Sequence, residues 1–267
     1  MRDFILLIKA EMTKDYIFIK RYPMEAIGGI CCVYLMFLGI FYSAKFAYGN
    51  QEPIFLGNTP EGWILGYLIW LFAAAATTYM SEQWHNEALT GLLEQLYISK
   101  SGPIYILLAR VLSVFLYISV IFPIFFYIFQ LSTGIYLELK LISTLPIFIL
   151  TFLGLCGFGF FLAGMTLIFK RIGPLFLIVP IFPLGLAIFP IEDLSVNLQR
   201  LTLFLPLIYG VKLIRLTILQ DQNFIVLFRN GEIVILLLNS IFYLFLGILW
   251  YKMADKIARN KGLLAHY

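Results

Sequence analysis

The chain is predicted to be an all-α, polytopic membrane protein with six transmembrane helices, and three observations predict it. Of its 267 residues, 61% are hydrophobic and 13% charged, whereas soluble domains are about 45–50% apolar. Several stretches reach the roughly 20 largely apolar residues that a spanning helix needs. Lysine and arginine collect in alternate connections between those stretches, as they do where loops face the cytoplasm.

Residues 1–22 interleave Phe4, Ile5, Leu7 and Ile8 with Arg2, Asp3, Lys9, Glu11, Lys14 and Asp15. This is not the unbroken apolar core of a cleavable signal. It reads as a cytoplasmic amphipathic helix lying on the membrane surface, with a frayed polar tail as the bland alternative. Residues 23–267 form one membrane domain, because no repeat, low-complexity run or long linker divides them.

The first span covers about 24–46 and is entered through Pro23, whose missing N–H is tolerated in a first helical turn. Gly49, Asn50, Pro53, Gly57, Asn58 and Pro60 make 47–61 an irregular loop. The second span, about 62–80, contains the small side chains Ala73 to Thr78, which let helix backbones approach closely in lipid. The third runs from about 103 to 129. The fourth, about 141–169, repeats the small-residue surface with Gly154, Gly157, Gly159, Ala163 and Gly164. The fifth, about 174–190, is short and interrupted by Pro180 and Pro183, which favour kinks tolerated where protein or a cavity satisfies the freed groups. The sixth is about 233–250.

Residues 201–219 are apolar but carry Lys212 and Arg215. With six spans and both termini inside, cytoplasmic segments hold positions 2, 9, 14, 20, 21, 100, 110, 170, 171, 252, 256, 259 and 261, which is 13 of the 19 basic residues. A full span at 201–219 would place the basic end outside, against the positive-inside tendency. That piece is therefore expected to be a re-entrant or interfacial hairpin on the outer face, before the last span.

The composition excludes several chemistries. A net charge of +4 gives no reason to expect nucleic acid as a partner. The two histidines, His85 and His266, have no ligand-spaced His or Cys, which argues against zinc. No GxxxxGK[ST] phosphate loop occurs, so any P-loop ATP hydrolysis belongs to another polypeptide. Glu25, Lys45 and Arg110 fall near predicted span ends, where long side chains reach the interface. Uncharged span centres argue against an ion-coupled carrier and against a charged-ring channel; a structural scaffold stays open. Cys31, Cys32 and Cys156 fall inside spans and are read as packing residues.

The most informative segment is the cytoplasmic connection at 81–100. Leu89, Leu92, Leu93, Leu96 and Tyr97 follow helical spacing and define one face, with Glu87, Thr90, Glu94 and Gln95 mostly off it. Such a helix can enter a groove on a partner protein or lie on the bilayer. Glu82, Glu87 and Glu94 against the single Lys100 suit an anionic leaflet poorly, which favours the partner.

This segment, from Glu87 through Leu92-Leu93-Glu94 to Ser99, resembles the loop after the second span in permeases of the type 2 ABC exporter superfamily. Leu92 stands where a threonine is frequent, and Lys100-Ser101-Gly102-Pro103 replaces an immediate proline. Pro206, Tyr209 and Arg215, in the run Leu205-Pro206-Leu207-Ile208-Tyr209, are similar to the family's outer segment, and Lys261-Gly262-Leu263-Leu264 is similar to its C-terminal end. The resemblance implies a bacterial inner-membrane permease with no cofactor of its own. It implies a partner ABC ATPase carrying ATP and Mg, and a second copy or a homologous permease beside this one. It makes Glu87, Leu89, Leu92, Leu93, Glu94, Leu96 and Tyr97 an ATPase-coupling helix, and has substrate pass between the two permeases along their first, second and fifth spans. Drugs, lipids, amphipathic peptides and lipid-linked polysaccharides all stay open as substrates.

Overall fold

The computed structural model describes residues 2–48, 60–99, 102–169 and 205–261, with a few single positions between 174 and 184. Most of the fifth expected span, residues 49–59 of the expected loop and the last six residues lie outside that set, while the two ends of the expected loop, 47–48 and 60–61, belong to the flanking helices. The described residues form helices α1 (Arg2–Arg21), α2 (Pro23–Tyr48), α3 (Pro60–Leu89), α4 (Leu92–Ile98), α5 (Gly102–Thr133), α6 (Leu141–Ile168), α7 (Pro206–Leu219), α8 (Phe224–Arg229) and α9 (Glu232–Asn260). Five of them, α2, α3, α5, α6 and α9, are long and apolar enough to cross a membrane, so the chain is an all-helical, multi-pass membrane protein.

The central helix is α3, which packs on α5, α6 and α7 and is buried along most of its length. Its 30 residues give a rod of about 45 Å at about 1.5 Å per residue, longer than the roughly 30 Å hydrocarbon core. The second span was expected to end near 80. Nothing between Ser81 and Ala88 breaks a helix, so α3 continues through this stretch to Leu89.

The tightest packing is between α6 and α9, which run parallel. Gly157 lies against the backbone of Tyr243 and Leu244, Gly164 against Trp250 and Ala254, and Gly247 against the backbone of Gly157. A β-carbon at Gly157 or Gly247 would enter the facing helix's main chain, so the small-residue stripe here is an interhelical contact. Cys156 is buried in the same region, whereas Cys31 and Cys32 are exposed on α2. Those two therefore do not pack within the chain as expected, because α2 meets the bundle mainly from Val33 onward and they stand on its outer side.

That contact is aromatic. Phe37 stacks on Phe129 at 3.9 Å between ring centroids, with Tyr67 at 5.3 Å from Phe37, and the Tyr34 and Ser132 hydroxyls share a hydrogen bond of 2.6 Å. At the same end of the bundle lies α7. It begins at mid-height of α6, where Pro206 touches Gly154. It rises to the start of α6, where the Phe224 N–H donates to Ser143 Oγ at 3.3 Å. Fourteen residues reach only about 21 Å, too short to span. Helix α7 is largely buried within the chain: Ile208, Val211, Leu213 and Ile214 are fully enclosed.

Helix α1 is amphipathic in the opposite sense to a simple surface helix. Its half-buried stripe is Phe4, Leu7, Ile8, Glu11, Lys14 and Asp15, while Ile5, Leu6, Tyr16, Ile17 and Phe18 face outward. Charge pairing with α3 and α5 draws Glu11, Lys14 and Asp15 inward.

Candidate functional site

The α1 end of the bundle gathers the C-terminal turns of α3, all of α4, the first turns of α5 and the last turns of α9. At its centre is Arg110, whose side chain is 1% exposed. Two of its N–H groups fork onto Glu87, Nη1 to Oε2 at 3.1 Å and Nη2 to Oε1 at 2.8 Å, and Nη2 also donates to Glu11 Oε1 at 3.1 Å. Its guanidinium lies over the Trp84 ring at 5.6 Å. Lys14 Nζ adds a contact to Glu11 at 2.6 Å and donates to Gln83 at 3.1 Å. Asp15 accepts from Tyr79 Oη at 2.5 Å and from Ser113 Oγ at 3.3 Å.

Arg110 was expected to reach the interface. It stays inside because two carboxylates from other helices meet it there, and a buried charge is tolerated when paired and hydrogen-bonded. Burial works to raise the Glu11 carboxyl, but the Arg110 and Lys14 charges outweigh it and hold Glu11 below the usual carboxylate range.

Next to this seam α3 turns into α4. Thr90 Oγ1 donates back to Asn86 O at 2.9 Å, and Gly91 ends α3 at φ 74°, a left-handed conformation that side-chain-bearing residues rarely adopt. The face read as continuous from Leu89 to Tyr97 is therefore divided. Leu93 is 1% exposed and joins the core, and Leu96 and Tyr97 are half-buried. Tyr97 Oη donates to Asp255 Oδ1 at 2.7 Å, and Arg259 holds the same oxygen at 3.1 Å while covering the Tyr97 ring at 5.0 Å. Burial, with Tyr251 and Asp255 nearby, pushes the Tyr97 hydroxyl well above its ordinary range, so it stays a donor. Leu89 (57%), Leu92 (48%) and Ile98 (84%) remain exposed, beside exposed Glu94 and Gln95.

Of the coupling residues named from the sequence, Glu87, Leu93, Leu96 and Tyr97 face inward and Leu89, Leu92 and Glu94 outward. The inward partners Glu11, Asp15, Trp84, Arg110 and Asp255 were missed, since they lie on four different helices. Pro206, Tyr209 and Arg215 share α7 but do not converge on one site: Pro206 starts the helix against Gly154, Tyr209 Oη donates to Glu232, and Arg215 Nη2 approaches Gly62 O at 3.5 Å. Among the described residues no group of three His, Cys, Asp or Glu side chains could hold a metal ion. No protein-family model and no curated protein matches the chain.

Proposed function

We propose that this chain is the membrane-spanning subunit of an ABC-type exporter, moving a hydrophobic or amphipathic substrate out of the cytoplasm while a separate ATPase binds ATP and Mg. The observation that carries the reading is the α3–α4 elbow. It juts past the length a bilayer needs, presents Leu89, Leu92 and Ile98 with Glu94, and is braced from behind by α1, α5 and α9. Apolar side chains flanked by acid suit a protein groove better than an anionic leaflet.

Force applied to such an elbow has three routes inward: Glu87 to Arg110 on α5, the same arginine to Glu11 on α1, and Tyr97 to Asp255 on α9. A sixth crossing belongs to the proposal. α6 ends at the elbow end while α7 leads to the other, and an ascending α7 that starts at mid-height suits the rising limb of a re-entrant segment. Both termini then face the cytoplasm of a bacterial inner membrane. Substrate would pass between two such subunits, identical or homologous.

The buried charges favour one competing reading, an ion-coupled carrier, because carriers keep ionisable groups among their spans. Here the charges pair with one another at the end of the bundle, which suits a structural seam better. Co-purification with a candidate ATPase, followed by ATP hydrolysis in membranes, tests the exporter reading. Failure of ATPases to associate, with transport that follows an ion gradient, would favour the carrier.

A further inference from the structure

A cavity of about 570 Å³ lies between α1, the first half of α2, α3 and α5, within the range of small-molecule sites. It exists because α2 stands away from the bundle over its first turns, with Met24, Ile27 and Ile30 exposed, and closes on it from Val33, whose carbonyl accepts from Tyr67 Oη at 2.8 Å, to Phe37. The cavity is amphipathic along its length. Toward the middle of the bundle its walls are apolar, with Leu68, Phe72, Ile118 and Phe122. At the α1 end they turn polar, with Lys14, Asp15, Glu25, Tyr79 and Asn86.

The polar end is acidic. Lys14 is engaged by Glu11, 2.6 Å away. Asp15 is held by Tyr79 and Ser113, and Glu25 has no ionic or hydrogen-bonding partner among the described residues. In the adjoining seam Glu11 and Glu87 are balanced by Lys14 and Arg110, which leaves Asp15 and Glu25 at the cavity with no cation within ion-pair distance among the described residues. The hydroxyphenyl rings of Tyr79 and Tyr117 also line this cavity, and aromatic faces attract ammonium groups.

We infer that this cavity is a binding site for a cationic amphiphile, with its ammonium head at Glu25 and Asp15 and its apolar body between α3 and α5. An acyl chain with a carboxylate head would meet the same apolar wall and be repelled at Glu25. The inference rests on the cavity and its charge, and stands apart from whether an ATPase docks on the elbow.

The test uses the full-length protein in phosphatidylcholine nanodiscs, an alkyltrimethylammonium probe with a photoreactive tail, and peptide mapping of the adduct. Label is expected on α3 and α5 around Phe72, Ile118 and Phe122. An unlabelled alkyltrimethylammonium of equal chain length should displace it, and the matching fatty acid should not. Glu25→Gln, at an exposed position that holds no fold contact, should weaken binding about tenfold, as loss of one charge-assisted contact would. Ala75→Trp, which fills the cavity, should abolish labelling there. Equal displacement by the fatty acid, labelling spread over the lipid-facing surface, or a Glu25→Gln protein that labels like the wild type would each overturn the site. The last two would mean that bilayer lipid alone fills the space.

Discussion

Arg110 and Glu87 meet as a two-pronged pair across the α3–α5 contact, at 3.1 and 2.8 Å, although 23 residues separate them in the chain. Glu11 closes the arrangement from α1, so three helices share one guanidinium. Taking one partner from a buried ion pair costs about 3–5 kcal/mol, because the other charge is left without a counter-ion. Arg110→Ala is therefore expected to lower thermal stability in detergent strongly and to free α1 for proteolysis. The triple variant Glu11→Gln, Glu87→Gln, Arg110→Met, which removes the buried guanidinium together with both carboxylates that hold it and leaves only the half-exposed Lys14, should recover much of that loss. A triple variant as unstable as the single one would show that the charges themselves are not the issue.

The depressed Glu11 carboxyl sets a pH dependence. Its folded value lies below its unfolded one, so α1 docking draws stability from this group that is fully present above the unfolded value and is lost as pH falls through the folded one. Hydrogen exchange across α1, corrected for its intrinsic pH dependence, should stay slow from neutral pH down to the ordinary carboxylate range, begin to rise as pH falls through that range and level off below the folded value. In Arg110→Gln the rise should move to higher pH. Exchange in the wild type that rises as neutrality is left would contradict the assignment.

A third expectation concerns the α6–α9 contact, where Gly157 and Gly247 place main chain against main chain. Overpacking a close contact typically costs about 1–3 kcal/mol, and here the obstacle is backbone that cannot rotate away. Gly247→Val should reduce the folded yield and thermal stability, while Gly39→Val, with open space around it, should change neither. Equal stability of the two variants, read by thermal unfolding in detergent, would put the packing in doubt.

The spans were legible because hydropathy is a local property: the first, third, fourth and last expected helices fall on α2, α5, α6 and α9. The elbow was half legible. The spacing of Leu89, Leu92, Leu93, Leu96 and Tyr97 suggested one continuous face, but Gly91 in the left-handed region swings α4 away from α3 and sends Leu93 inward. The Arg110 seam was not legible, since its partners come from positions 11 and 87 and no spacing rule links them. One cue existed. A lone arginine eight residues into a span needs a carboxylate, and Glu11, Asp15 and Glu87 stood on segments expected at the same end of the bundle.

The last expectation separates the outer side of the elbow from its inner side. Leu89 and Leu92 are exposed and touch no core, so Leu89→Asp/Leu92→Asp should leave the protein inserted and as stable as the wild type. If the elbow docks on an ATPase, burying each leucine there contributes about 1.5–3 kcal/mol, and the double variant should lose co-purification at matched membrane expression. Leu93→Ala acts on the other side, deleting a buried side chain at a cost of about 2–5 kcal/mol; it should lower thermal stability first and binding only as a consequence. Tyr97→Phe should be intermediate, keeping the ring under Arg259 and losing the bond to Asp255. It is expected to leave ATPase binding intact while weakening the coupling of hydrolysis to transport, because α4 would lose its hydrogen bond to α9 and keep only the ring contact. A bilayer-lying elbow makes the opposite forecast for the first variant. Undiminished ATPase binding and transport in Leu89→Asp/Leu92→Asp would remove the docking assignment and, with it, the strongest support for the exporter reading.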